Sequence, residues 1–360
     1  MFKFGVLIFL AFALAFALSS IVVERTDKEC KRGDNKLGYF IPLKKCSFIY
    51  NMYLKRKRGA ELSRDNTLYM KRSKSVRINK KMFVCCEEKE KIDQAIDNLF
   101  NEDCGRFEID KIYGGRYVKL MSRPWMAILN LKHNYKNEIY ICGGTLINKR
   151  YVLTAAHCFD EKELFLLRLG EHNIIKKQDC DEDSCAPPFE DINIERIFVH
   201  EKYSLETRHD DIALVKLSKD VGFKRSISPI CLPTTKTLQQ KVNNIKDFHV
   251  TGWGKTKFSN YSNTLMEIIV NQKNRAKCNK SFPKYPVDST QICAGADGKD
   301  ACGGDSGGPL SQVVYFNGYQ RFVQYGVVNF GFINCTGEHP GVYTNVGSYI
   351  RWIAYTIATK

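Results

Sequence analysis

The fourteen cysteines of this 360-residue chain include no Cys-x-x-Cys pair, and only Cys85 and Cys86 stand side by side. Zinc sites usually gather thiolates in such pairs, so metal does not explain these cysteines. Long apolar runs are also missing, apart from Gly5 to Leu18 behind Lys3. That run is short for a bilayer, and its small residues Ala13, Ala15, Ala17 and Ser19 make residues 1–20 read as a secretory signal peptide, cut between Ala17 and Ser20. The mature chain then has no membrane span. Acid is scarce as well, with 39 Asp and Glu against 55 Lys and Arg and a formal net charge of +16. Such a balance suits nucleic acid or an acidic surface, but a secreted, extracellular chain excludes nucleic acid. Much of the excess lies in Lys55 to Lys81, where the expectation is a solvated, flexible loop, with an anionic polysaccharide or an acidic protein as the weaker reading.

What is present fits that compartment. An even number of cysteines in an oxidising environment implies disulfides without fixing their connectivity. An apolar fraction of 44% supports a true core in one or two domains.

The chain is organised around Asp300 to Pro309 (DACGGDSGGP). Glycines at 303, 304, 307 and 308 allow backbone angles that a Cβ forbids, so the amides of Gly304 and Ser306 can aim at one point. Paired donors of that kind form an oxyanion hole, each stabilising a tetrahedral intermediate by about 3 kcal/mol. Gly, Ser and Asp clusters are also ordinary turns, yet this one places Ser306 as the nucleophile of a peptidase. A hydroxyl needs a base, and upstream stand His157 in Leu153 to Cys158 (LTAAHC) and Asp211 in His209 to Leu217 (HDDIALVKL). The order His, Asp, Ser separates the arrangement from Ser-Asp-His hydrolases and Asp-His-Ser subtilisins.

TAAHC, DIALVKL and GDSGGP resemble the three signature segments of trypsin-like serine proteases of the chymotrypsin family, and the resemblance covers residues 112–360. It implies an all-β fold of two six-stranded antiparallel barrels with the site in the cleft between them. Short, turn-bounded segments agree with antiparallel sheet: Met126 to Leu131, Ile139 to Ile147, Leu164 to Leu169, Ile212 to Leu217, Phe248 to Trp253, Met266 to Val270 and Gln324 to Asn329. Val346, Ile350, Ile353 and Ile357 share one face of a C-terminal helix. By resemblance His157 moves the proton, Asp211 rather than Asp210 orients the ring, and the other histidines are surface or structural. Asp300 matches the base of a primary pocket for Arg or Lys, with Gly331 and Gly341 as its walls. Asn329 and Phe330 stand where serine and tryptophan are usual, which alters pairing with the substrate backbone.

The same resemblance implies a zymogen cut between Lys111 and Ile112, whose new amine pairs with Asp305 and orders the oxyanion hole. It also implies the bridges Cys104–Cys231, Cys142–Cys158, Cys278–Cys293 and Cys302–Cys335, the first holding the cut N-terminal part in place. Cys180 and Cys185 are left to pair within an insertion. No cofactor is required, but the family's calcium loop would use Glu171, Asn173, the Lys176 carbonyl and Asp179. An acidic loop without metal is the alternative.

Residues 28–87 resemble a clip domain, the regulatory knot ahead of many arthropod serine proteases, in degenerate form with four cysteines. The missing two belong near Tyr39-Phe40 and Ser73 to Ser75; they would be partners of each other, so the resemblance implies Cys30–Cys85 and Cys46–Cys86. Residues 88–111 are the linker and activation segment, with a brief helical turn at Ile92 to Phe100. Asn260, Asn279 and Asn334 begin glycosylation sequons. The function implied is a secreted serine endopeptidase cutting after Arg or Lys in an extracellular cascade of innate immunity, melanisation or development. Its partners would be a protein substrate such as a downstream zymogen, an upstream activating protease and a serpin inhibitor. The alternative is a non-enzymatic clip-protease homologue that assists another protease.

Overall fold

The computed structural model describes residues 29–360 except 34, 36, 79–80, 87, 100–102, 108–115, 136–137, 183, 256–260, 297–302 and 333–338. The chain divides into two units, 1–97 with 354–360, and 98–353. Among the described residues no helix is long and apolar enough to cross a membrane.

In the first unit β1 (Glu29–Lys31), β2 (Leu37–Pro42), β3 (Ser75–Ile78) and β4 (Lys81–Cys86) form an antiparallel sheet in the order β1-β2-β4-β3. Cys30–Cys85 and Cys46–Cys86 tie it together. The small core consists of Ile41, Cys46, Ile49, Met52, Val84 and Cys86. A core this small leaves the two bridges a large share of the stability, about 2 to 5 kcal/mol each. The flexible loop expected from Lys55 to Lys81 is a correction: α1 (Ser47–Lys57), α2 (Arg64–Arg72) and β3 occupy most of it. Its charges face solvent, while Ser63 caps α2 by accepting from the amide of Asn66. The helical turn expected at Ile92 to Phe100 is a twelve-residue helix, α3 (Glu88–Leu99), with Ala95 and Leu99 buried one turn apart.

The second unit is chymotrypsin-like. Its first sheet comprises β6 (Met126–His133), β7 (Ile139–Leu146), β8 (Tyr151–Thr154), β9 (Lys162–Leu169), β10 (Glu190–Ile192), β11 (Ile194–Val199) and β12 (Ala213–Leu217), ordered β10-β9-β6-β7-β8-β12-β11. This half-barrel is seven strands wide, and its edge strands β10 and β11 do not pair with each other. The second sheet comprises β5 (Arg116–Tyr117), β13 (Asp247–Gly252), β14 (Met266–Gln272), β15 (Gln291–Gly295), β16 (Pro309–Phe316), β17 (Tyr319–Phe330) and β18 (Gly341–Asn345). Pairing of β13 with β14 closes six of them into a barrel, and β5 adds to β14. Phe248, Val270, Leu310, Val323 and Tyr325 fill it. Strand β12, flanked on both sides, buries all of Ala213–Leu217 but Lys216, which pairs with Glu195 at 2.7 Å. The C-terminal helix α6 follows (Val346–Thr359; α4, Lys236–Lys241, and α5, Arg275–Ser281, come earlier) and buries Val346, Ile350 and Ile353.

One buried polar cluster supports this barrel. The Arg123 guanidinium donates to both oxygens of Glu267 (2.8 and 2.9 Å), and Thr251 and His249 bond the same carboxylate (3.1 and 2.9 Å). Burial alone would raise the Glu267 carboxyl, but the bonds from His249 and Arg123 outweigh it and hold its pKa at about 2. The cluster's contribution is therefore complete above the ordinary carboxyl value of 4.5 and is lost as pH falls toward 2. Glu267→Gln should lower stability at neutral pH by about 3 kcal/mol and flatten the acid limb, as read by urea unfolding from pH 7 to pH 2.

Candidate active site

Strands β8 and β12 are hydrogen-bonded neighbours with Ala213 opposite Thr154. His157, just beyond β8 on the turn Ala156–Phe159, and Asp211, just before β12, therefore emerge at one edge. Asp211 is fully buried. One carboxylate oxygen accepts the amide of His157 at 2.8 Å and the other lies 2.7 Å from the ring Nδ1. A carboxylate can only accept, so Nδ1 carries the proton and Nε2 is left as the base. Asp210 faces elsewhere: its oxygen accepts the Tyr349 hydroxyl at 2.9 Å and lies 3.8 Å from His200.

The backbone leading to Asp211 is left-handed at Arg208 (φ 60°) and Asp210 (φ 53°), and the second barrel holds it there. The carbonyl of Arg208 accepts from Asn329 (2.9 Å) and Gln291 (3.0 Å), and that of Asp211 accepts from Thr344 (2.8 Å). Asn329, singled out for substrate pairing, thus turns its side chain toward the loop that carries Asp211. Gln291 and Thr344 were not legible as site residues, because neither belongs to a motif and both reach the loop from distant strands.

The nucleophile loop docks through its backbone. Gly143 donates to the Ser306 carbonyl (2.7 Å), Gly307 to that of Val328 (3.0 Å) and Gly308 to that of Asp305 (2.8 Å). Gly304 (φ 99°) and Gly307 (φ 79°) adopt angles that favour glycine, and a Cβ on Gly307 would collide with the Thr154 hydroxyl. Asp305 turns inward and accepts the amide of Gly254 at 2.8 Å. The amides of Gly304 and Ser306 make no bond within the described residues. Ser306, His157 and Gly304 line one cavity of about 510 Å³ with Ile139, Tyr140 and Tyr261. No hydrogen bond joins Ser306 to His157, a contact that often tightens only when substrate arrives.

Gly341 is buried at the start of β18, and Gly331 is exposed just after β17. Asp300, Cys302, Cys335, Lys111, Ile112, Asn260, Asn334 and the leader lie outside the described residues. Bridges join Cys104–Cys231, Cys142–Cys158, Cys180–Cys185 and Cys278–Cys293. Asn279 is exposed, with its carboxamide bonded to the backbone of Val287.

Three of the four residues expected to hold calcium, Glu171, Asn173 and Asp179, already have other hydrogen-bond partners. Arg168 donates to one oxygen of Glu171 (3.0 Å) and the amide of His172 to the other (2.9 Å). Asp179 accepts the amides of His172 and Asn173 (3.2 and 3.1 Å), and Asn173 bonds Thr264 and Ile175. A guanidinium already supplies the positive charge, so calcium should leave the melting temperature within about 1 °C of that in a chelator. A calcium-dependent rise of several degrees would restore the metal.

A buried Asp behind a histidine that shares its cavity with a glycine-flanked serine, set in a β-barrel and a half-barrel, defines a chymotrypsin-like serine hydrolase. The Trypsin family profile matches residues 112–353. The chain is 35% identical over 347 residues to serine protease grass of Drosophila melanogaster, covering 92% of each. It is 39% identical over 263 residues to CLIP domain-containing serine protease HP8 of Bombyx mori, covering 69% of this chain and 70% of that one. The crystal structure of the Drosophila Grass clip serine protease of the Toll pathway superposes with a TM-score of 0.72 at 36% identity, over 93% of this chain and 98% of that one. The chain belongs to the trypsin family of serine endopeptidases and, within it, to the clip-domain serine proteases.

Proposed function

We propose that this protein is a secreted zymogen that is opened by cleavage after Lys111 and then cuts protein substrates after Arg or Lys, its target being another zymogen of an extracellular cascade. The observation that carries the reading is the buried Asp211 locked on Nδ1 of His157, whose cavity also holds Ser306. In this reaction Ser306 Oγ attacks the scissile carbonyl and its proton passes to Nε2 of His157. Asp211 stabilises the resulting imidazolium, which returns the proton to the leaving amine, and the amides of Gly304 and Ser306 hold the oxyanion. Asp300 at the pocket base selects a cationic side chain, while Gly331 and Gly341 leave it room.

Two further relatives support the cascade: Spaetzle-processing enzyme of Drosophila melanogaster, 38% identical over 275 residues, and Phenoloxidase-activating factor 1 of Holotrichia diomphalia, 32% identical over 367. Their names describe processing or activating other proteins. An upstream protease would make the first cut, and a serpin would end the activity. Asn279 and Asn260 are the glycan acceptors of the secreted form.

Cleavage of the purified chain after Lys111 should raise hydrolysis of Arg and Lys peptide reporters by at least about a hundredfold and leave Phe reporters untouched. Full activity in the uncut chain would overturn the switch. Preference for Phe would overturn the role of Asp300, and silence after verified cleavage would point to a binding homologue.

A further inference from the structure

The catalytic machinery leaves the charge of the N-terminal module unexplained. Eleven Lys and Arg fall between Lys55 and Lys81 against two acids, Glu61 and Asp65. Helix-end electrostatics accounts for some of them, since Lys55, Arg56 and Lys57 close α1, Lys71 and Arg72 close α2, and Asp65 sits in the first turn of α2. It does not account for what stands beside them.

On α1 the residues Phe48, Asn51 and Lys55 recur at helical spacing on one exposed face, and Arg58 extends that face into the cap. At 1.5 Å of rise per residue the row runs about 15 Å. Phe48 is 49% exposed although its ring meets Tyr69 of α2 edge-on at 5.0 Å. Arg72 stands one turn beyond Tyr69 on α2 and is exposed. Lys55, Arg58 and Arg72 are all exposed, and none is paired with an acid among the described residues. The row therefore presents an aromatic face, a carboxamide and two cations in sequence.

We infer that this face binds an anionic polysaccharide. Each part has a counterpart in that ligand: a sugar ring can stack on Phe48, hydroxyls can bond Asn51, and sulfate or carboxylate groups can meet Lys55 and Arg58. A lipid surface would call for a broad apolar face, which the polar Asn51 and Lys55 interrupt. The Cys104–Cys231 bridge joins the stretch that follows this module to the protease domain, so a cut after Lys111 would not release the module. The polysaccharide would thus confine the cut enzyme to the surface that carries it.

Binding of the intact chain to heparin, measured at about 150 mM salt and over a salt series, tests the inference. Lys55→Glu with Arg58→Glu should weaken binding at least tenfold and lower the slope of log affinity against log salt by about two. Lys241→Glu with Lys246→Glu, the same charge change on the protease domain, should shift affinity less than twofold. If the first pair disturbs the melting temperature, Lys55→Gln with Arg58→Gln should still weaken binding at least threefold. Equal losses in both pairs would mean that net charge alone binds and would overturn the site. So would indifference to heparin at this salt, or tighter binding to phosphatidylserine vesicles than to heparin.

Discussion

With Ser306 replaced by alanine, kcat of the cleaved protein on a Lys or Arg reporter falls by about six orders of magnitude, while KM stays within about threefold. The hydroxyl is the attacking group in the proposed mechanism. The substitution should not disturb the loop, because the neighbours hold Ser306 by its backbone: Gly143 donates to its carbonyl at 2.7 Å. A residual rate about 10³ above water should survive, since the amides of Gly304 and Ser306 persist in the variant. Single-turnover kinetics on the cleaved variant, with melting temperature as the control for folding, checks the claim. Retention of more than about one per cent of kcat would show that Ser306 is not the nucleophile.

The residues of that mechanism were legible because each lies in a short local motif whose spacing is fixed by turn chemistry. The glycines around Ser306 announced a backbone that other residues resist, and Gly304 and Gly307 do take positive φ. The choice of Asp211 over Asp210 needed the family pattern, and the structure separates them by their partners, His157 for one and Tyr349 for the other. Other features depend on contacts that no local window contains. Arg123 and Glu267 stand 144 positions apart, and either alone looks like a surface charge. Gln291 and Thr344 reach the Asp211 loop from strands of the other barrel. The span from Lys55 to Lys81 misled because charge density suggests a loop, whereas the Ser63 cap and the packing of Leu62, Tyr69 and Met70 against the small core favour a helix there. Closure of only one sheet into a ring was equally hidden, because strand number is visible in a pattern and ring pairing is not.

Asp211→Asn should lower kcat by about four orders of magnitude at neutral pH and leave KM nearly unchanged. The reason lies in how the carboxylate is used. Its two oxygens accept two donors, the amide of His157 at 2.8 Å and the ring Nδ1 at 2.7 Å. Asparagine has one acceptor oxygen to offer, and an amide N–H cannot change roles, so the oxygen goes to the backbone and the NH2 group faces Nδ1. The ring must then accept at Nδ1 and carry its proton on Nε2, where it can no longer take one from Ser306. The loop itself should stay in place, because Asn329, Gln291 and Thr344 hold the carbonyls of Arg208 and Asp211 rather than the side chain. The loss is therefore one of tautomer, not of position. Separate kcat and KM values, together with the protonation of His157 followed by NMR of its ring nitrogens, distinguish the two. A variant that lost activity through KM, or kept the proton on Nδ1, would mean that Asp211 acts through packing alone.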